Sequence, residues 1–566
     1  MNARLNQALY STYSALVTPT VKALDDASRS PRQAQLRRLS AILKKNKSTK
    51  FGLEHGFGQI KTEADFKASV PVRDYESFRP YVEEMMAGSG NILTAENPIM
   101  FATTSGTTGQ AKFIPVTQSY MKEYREASIV SGYHLFKNYP GIAAGKALSM
   151  FSSACSGRLS TGVAYGAISG AIYQSESQVV KKYICATPYE VALIDDYESR
   201  YYTFLRIGLA SPISIFYTPN PSTINLLCRR LKNFAHSLIK DIKDGDINPP
   251  NPLPSSIKKA LQDSGHMRKD PQRARELESL LQRGLFKPDT IWKDLALITC
   301  WTKGAAGFYL NDFPSTLGDI PVCDISYCAS EGRGTAVLAA DKQLLALNSH
   351  FFEFIPESEI DSKNPTVLLA DELDVNQNYF VLFTTSGGLY RYNINDVIKV
   401  TGKHNNAPLI EFQHKGGNVH SFTGEKLTES HVTQAMKKVA DELNLSIRFF
   451  TLVPQFKPEP HYQLWLELND SSNQKNFDAK LPVEKISKLL DIEIGKLNME
   501  YEEKRSSTRL SPIVCHQIEP GTYEKLRLHL VAQGTPDIQI KVSHLNPKAD
   551  ISQFLSNGLL PVTILG

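Results

Sequence analysis

Thr103-Thr104-Ser105-Gly106-Thr107-Thr108-Gly109-Gln110-Ala111-Lys112 is the stretch on which the reading of this chain turns. Its hydroxyls can donate hydrogen bonds to phosphate oxygens, its glycines let backbone N–H groups approach closely, and its lysine supplies positive charge. The Walker pattern requires a second glycine five residues after the first, and five residues after Gly106 stands Ala111. An apolar run precedes the segment, and Phe113-Ile114-Pro115-Val116-Thr117 follows it. That text reads as strand, loop, strand, where a Walker loop would open a helix. A flexible Ser/Gly hairpin turn has the same composition, so the segment alone leaves two readings.

The surrounding text argues for an α/β core. Strands are predicted at 296–300, 322–327, 351–354, 379–384 and 397–400, alternating with helical text. The first fifty residues read as two amphipathic helices, the second opening at Ser30-Pro31 with Leu36, Leu39 and Leu43 on one face. Residues 222–290 read as polar helices split by a proline-rich loop between Pro249 and Pro254. A polar, glycine-bearing stretch, His414-Lys415-Gly416-Gly417-Asn418, marks a boundary. Beyond it an α+β unit is predicted: a helix over 428–443, strands over 445–453 and 462–468, then one long helix. That helix carries Val483, Ile486, Leu490, Ile494, Leu497 and Tyr501 on one stripe, and a strand near 511–518 and a helix near 520–533 follow. A chain of 566 residues exceeds what one core usually supports. The expected division is a large domain over 1–416, with mixed sheets and helices, and a smaller mobile α+β domain over 417–566.

Composition narrows the function classes. Hydrophobic residues make up 42% and charged residues 21%, and the net charge is only +5, with Lys and Arg scattered. This argues against a nucleic-acid partner. No stretch has the length and apolarity of a signal peptide or membrane span. The seven cysteines are dispersed, and the close pair Cys323 and Cys328 lacks the second pair or histidines of a zinc site. Reduced thiols in a cytoplasmic protein are the expectation.

Thr104-Ser105-Gly106-Thr107-Thr108-Gly109 followed by Lys112 resembles the phosphate-binding signature of the adenylate-forming superfamily of acyl-CoA synthetases, luciferases and peptide-synthetase adenylation domains. Later stretches resemble one branch, the acyl-acid amido synthetases of the auxin-responsive Gretchen Hagen family. Tyr327-Cys328-Ala329-Ser330-Glu331 is similar to that family's Tyr-x-Ser-Ser-Glu, with Ala329 in place of a common serine. Phe352-Glu353-Phe354-Ile355-Pro356 and Gly424-Glu425-Lys426-Leu427-Thr428-Glu429 match further pieces. Leu389 to Val397 resembles its Tyr-Arg-x-x-x-Gly-Asp-Val, with Asn395 replacing the glycine. The pieces run in family order from about residue 50 to 541.

The resemblance implies an ATP-dependent ligase that adenylates a carboxylic acid and joins it to an amine, most often that of an amino acid, releasing AMP and pyrophosphate. It implies an ATP site formed by Thr104, Ser105, Gly106, Thr107, Thr108, Gly109, Lys112, Tyr327, Ala329, Ser330 and Asp396. In it the aromatic Tyr327 lies against adenine, Asp396 accepts from the ribose hydroxyls, and Glu331 stands near a Mg²⁺ ion. Lys541, in Gln539-Ile540-Lys541, corresponds to a catalytic lysine of the small domain, and Lys415, Gly416 and Gly417 to a hinge. An acyl-CoA ligase with a thiol acceptor and an inactive nucleotide-binding protein remain alternatives. No residue declares the acid, the amino acid or the oligomeric state.

Overall fold

A computed structural model of the chain describes residues 3–104, 111–360, 362–416, 419–420, 425, 427–455, 459–469, 483–506, 510–533, 540, 543–546 and 549–558. The chain divides into two compact units, Met1–Phe412 and Gln413–Gly566.

In the first unit, helices Ala3–Arg29 and Pro31–Asn46 cover the predicted pair, the second with Ser30 at its N-cap and Pro31 in its first turn. That position suits proline, whose missing N–H would have no helical partner there. Leu39 and Leu43 are buried, but Leu36 stays half-exposed and Gln35 is buried instead. The Gln35 side chain donates to the carbonyls of Leu347 and His350 and accepts the Phe352 N–H. A buried amide is tolerated because all these bonds are made.

Three larger sheets and one two-stranded hairpin build this unit among the described residues. The strands Met100–Thr104 and Lys112–Val116 belong to a four-stranded sheet with Gly157–Arg158 and Ala164–Gly166. A second, parallel sheet contains Lys146–Ser149, Ile213–Tyr217, Leu297–Cys300 and Val322–Asp324. The third has six strands and includes Phe351–Pro356, Asn378–Thr384, Tyr392–His404 and Ala407–Lys415. Both of its faces are covered. Ile394, Ile398 and Val400 belong to the main core, whereas Val397, Ile355, Phe380 and Leu382 form a separate apolar cluster.

The strand predicted at 397–400 therefore starts five residues earlier and ends four later. Its early part escapes a period-two reading because it is bulged. Phe380 pairs with Val397 and Leu382 with Asn393, so Ile394, Asn395 and Asp396 lie opposite Val381 alone. The predicted polar helices over 222–290 are present as Pro221–Asn233, Ala235–Asp244, Ser255–Asp263 and Pro271–Gln282, with a short helix at Pro288–Ile291. Asp241 fastens the proline-rich loop to them. It accepts from the Tyr202 hydroxyl and from both the backbone and the side chain of Asn248.

In the second unit, Ile447–Gln455, His461–Leu468 and Val514–Ile518 form a three-stranded sheet. Helices Glu429–Leu443 and Thr522–Ala532 follow the reading closely. The single long helix does not: it is two, Val483–Leu497 and Met499–Ser506. Asn498 makes the break, because its side-chain oxygen accepts the Tyr501 N–H at 3.0 Å and caps the second helix. Of the stripe, Ile486, Leu490, Ile494 and Tyr501 are nevertheless buried, while Val483 and Leu497 at the first helix's ends are only half-buried.

Among the described residues no helix is long and apolar enough to cross a membrane. Each of the seven cysteines is a free thiol.

Candidate active site

The strands flanking the quoted segment pair antiparallel from Met100–Val116 to Thr104–Lys112. Thr104 and Lys112 therefore stand side by side where the connecting residues leave and rejoin the sheet. Ser105, Gly106, Thr107, Thr108 and Gly109 lie outside the described residues. Tyr75 grips the returning strand: its hydroxyl donates to the Phe113 carbonyl at 3.0 Å and accepts the Phe113 N–H at 2.7 Å. Lys112 Nζ sits 5.5 Å from the centre of the Tyr75 ring, a cation–π distance.

Cys328–Ala329 and Gly332–Arg333 pair as a hairpin, with Ser330 and Glu331 as its two central residues. Two glycines let the surroundings close on it. A Cβ at Gly332 would meet the Phe383 ring at 2.6 Å, and one at Gly334 would meet Tyr327 Cδ1 at 2.2 Å. The hairpin is held at several points. Tyr120, in the first turn after the Lys112–Val116 strand, donates from its hydroxyl to the Ser330 carbonyl at 2.7 Å. The Arg333 N–H donates to His350 Nε2 at 3.1 Å, and the His350 and Tyr120 rings stack at 5.6 Å. Burial, with Arg38 nearby, pushes the His350 imidazole down to about 3, so it is a neutral acceptor.

The bulged strand supplies the third wall. Asn395 has φ 64°, in the left-handed region where glycine is free and asparagine is among the best-tolerated side chains. The departure from the glycine of the related motif therefore keeps the backbone conformation. The Asn395 N–H donates to Asn393 Oδ1 at 2.8 Å, closing a local turn that presents Asp396. Asp396 Oδ2 accepts from the Tyr327 hydroxyl at 2.7 Å. Burial and the Asp396 charge push the Tyr327 phenol well above its ordinary range.

The three segments meet at Tyr392. Its hydroxyl lies 3.4 Å from Lys112 Nζ and 3.5 Å from Glu331 Oε1, and its ring is fully buried. Burial first, then the charges of Glu331 and Asp396, raise the Tyr392 phenol well above its usual value. It is thus a proton donor to Glu331 at any working pH. Tyr392 falls inside the Leu389 to Val397 stretch, where the motif gives it no role, and Tyr75 and Tyr120 lie outside every quoted motif. No local pattern marked Tyr392, because it opens its strand directly after Arg391, whose φ of 47° breaks the alternation with Tyr390.

Thr104, Lys112, Tyr327, Ala329, Ser330, Glu331 and Asp396 all fall within the first unit's described residues. Among the described residues no cluster of three or more His, Cys, Asp or Glu could hold a metal ion. Lys415 ends the Ala407–Lys415 strand and Gly416 follows it, while Gly417 lies outside the described residues. So does Lys541. Near it in sequence, Ser543–Asn546 dock on the Ile447–Gln455 strand: the Leu452 N–H donates to the His544 carbonyl and the Asn546 N–H to that of Leu452.

The GH3 family N-terminal domain model matches residues 20–322, the central domain model 343–415 and the C-terminal domain model 430–549. Similar proteins include jasmonoyl–L-amino acid synthetase JAR6 of Nicotiana attenuata, 25% identical over 95% of this chain and 96% of that protein. Probable indole-3-acetic acid-amido synthetase GH3.1 of Arabidopsis thaliana is 23% identical, over 92% of this chain and 90% of the relative. The 4-substituted benzoates-glutamate ligase GH3.12 of Arabidopsis thaliana is 24% identical, over 92% and 94%. The solved structure of GH3.15 acyl acid amido synthetase superposes with a TM-score of 0.83 at 19% identity, covering 96% of each chain, a likeness of fold. The N-terminal model alone spans more than half of the sequence, and the three models follow one another in order along it: the chain belongs to the GH3 family.

Proposed function

We propose that the protein is an ATP-dependent ligase that converts a carboxylic acid to its acyl adenylate and transfers the acyl group to the amine of an amino acid. The observation that carries this reading is the meeting of Lys112 and Glu331 at the buried Tyr392 hydroxyl, from three separate segments, two of which are joined again by the Tyr327–Asp396 bond. The named relatives join different acids, jasmonate, indole-3-acetate and benzoates, to amino acids, so the shared chemistry supports the reading without fixing the acid.

In the first half-reaction a carboxylate oxygen attacks the α-phosphorus of ATP and pyrophosphate leaves. Two anions must be brought together, so preorganised positive charge and donors are the main requirement. We assign Lys112 and the hydroxyl and glycine residues 104–109 to the departing phosphates and Asp396 to the ribose hydroxyls. Tyr392 and Tyr120 hold Glu331 and its hairpin in place. The buried Glu331 carboxylate fits Mg²⁺, which takes one or two protein carboxylates and completes its shell with phosphate oxygens and water. Such an ion would neutralise phosphate charge there. In the second half-reaction the amine attacks the acyl carbonyl, AMP leaves with the bonding electrons, and the nitrogen gives up a proton. Lys541 is assigned to the adenylation step, Lys415 to Gly417 to a hinge, and residues 1–416 and 417–566 to a large and a small catalytic domain. A cytoplasmic setting suits the free thiols.

ATP–pyrophosphate exchange across a panel of carboxylic acids tests the proposal, followed by addition of amino acids or coenzyme A to the active acids. Acid-dependent exchange and an amide formed only with an amino acid are expected. A thioester formed with coenzyme A alone would make the protein an acyl-CoA ligase. ATP binding without exchange for any acid in a broad panel would overturn the ligase reading.

A further inference from the structure

The geometry points to Tyr327 as a positioning residue for Asp396: it fixes, through its hydroxyl, the carboxylate that accepts from the ribose, and its ring serves to hold that hydroxyl in place. The inference rests on the nucleotide-site reading above and deepens it.

The ring is only 7% exposed. One edge lies on Gly334, so closely that a Cβ there would overlap Cδ1. Phe412 lies nearly parallel at 16° with ring centres 5.9 Å apart, and Phe383 is tilted against it at 6.2 Å. Its backbone is equally fixed, because the Tyr327 N–H donates to Thr335 Oγ1 at 2.8 Å and the Gly334 N–H donates to the Tyr327 carbonyl at 2.8 Å. What this scaffold delivers is an O–H, aimed at Asp396 Oδ2 at 2.7 Å.

Such a bond helps to direct the Asp396 carboxylate. Asp396 follows directly on a left-handed residue in a bulge, where the regular sheet ladder does not dictate its direction. A carboxylate that must meet two ribose hydroxyls loses affinity if its rotamer is frozen only on binding. A carboxylate offers about four acceptor positions, so taking one bond from Tyr327 is compatible with binding a diol. The raised phenol ensures that Tyr327 remains the donor throughout the neutral range.

Titration calorimetry of the full chain with ATP, 2′-deoxy-ATP and 3′-deoxy-ATP reads the ribose contribution without any acid substrate. The wild type is expected to prefer ATP over either deoxynucleotide by about tenfold or more, the scale of a hydrogen bond to a carboxylate. Y327F keeps the ring and removes the hydroxyl. It should cut that preference to about threefold or less and leave deoxynucleotide affinity nearly unchanged. An equal weakening toward all three nucleotides would indicate a merely structural role, and an unaltered preference would mean that the hydroxyl does nothing for Asp396. Either overturns the inference. D396N separates this from the parent reading: if D396N abolishes the preference while Y327F retains it, only the positioning role falls. If D396N also retains it, Asp396 is not the ribose ligand and the nucleotide assignment fails. Should Y327F not fold, Gly334→Ala displaces the same ring with the hydroxyl still present and is expected to erode the same preference.

Discussion

Arg391 Nε lies 2.9 Å from Glu353 Oε2 in an ion pair of which almost nothing reaches solvent. It joins two stretches that the sequence reading recognised separately, Phe352 to Pro356 and Leu389 to Val397. Arg391 also donates to the carbonyls of Val70 and Lys67, so one guanidinium ties the start of the bulged strand to Phe351–Pro356, the strand beyond its neighbour Asn378–Thr384, and to the end of the helix Glu63–Ser69. Burial raises the Glu353 carboxyl more than Arg391 lowers it. The pair therefore specifies geometry rather than adding stability, as is common for ions removed from water. Arg391→Met leaves a buried charge without its partner and is expected to cost about 3–5 kcal/mol. The double variant Arg391→Met/Glu353→Met should recover much of that loss. Chemical denaturation of the three variants checks it, and additive losses would contradict the coupling.

Asn395 permits a test of the backbone argument. Asn395→Gly should be nearly neutral in stability and in ATP binding, since glycine takes φ 64° without strain. Asn395→Val places a branched side chain in the left-handed region and should cost roughly 1–2 kcal/mol. Thermal unfolding of the pair reads the difference. A valine variant as stable as the glycine one would show that the backbone relaxes.

Stability should depend on pH through His350. Its imidazole is held at about 3 by burial, against 6.5 when unfolded. As pH falls, the unfolded chain takes up the proton first. The contribution is thus fully present above about 6.5 and is lost as pH drops toward 3, at about 1.4 kcal/mol per pH unit inside that window. His350→Gln should flatten the stability profile between about pH 4 and 6 by one proton's worth of slope. Parallel denaturation series for the two proteins measure this, and identical slopes would remove His350 from the account.

Lys541→Ala is expected to slow acid-dependent pyrophosphate exchange by about a hundredfold or more, the scale of losing one group that stabilises transition-state charge. ATP affinity measured by calorimetry should change little. Exchange at the wild-type rate would return Lys541 to the status of a surface lysine.

Much of the fold was legible because its signals are local. The apolar runs around Thr103–Lys112 mark a hairpin whether or not its ligand is known, and Ser30-Pro31 announces a helix by the chemistry of its first turn. Asn498 was legible in principle, since it is a capping residue, but the apolar stripe across it is continuous and conceals the break. The candidate site was legible only as an inventory. Tyr327 and Asp396 are 69 residues apart, and the bond between them depends on the register of Asn378–Thr384 against the bulged strand, which no local pattern encodes. Tyr120 and Ser330 are 210 residues apart, and their contact likewise exists only after assembly.

The bulge carries a last consequence, for the kinds of change the gene can accept. Ile398 and Val400 face one core and Val397 the other, with half-buried Lys399 between Ile398 and Val400 in sequence. Losing or gaining one residue among Ile394, Asn395 and Asp396 would turn each later side chain of the strand to the opposite face and carry Lys399 into the main core. Residue identity can drift here, as the asparagine in place of glycine illustrates. Length cannot, so variation in this stretch should be confined to substitutions, with insertions and deletions eliminated.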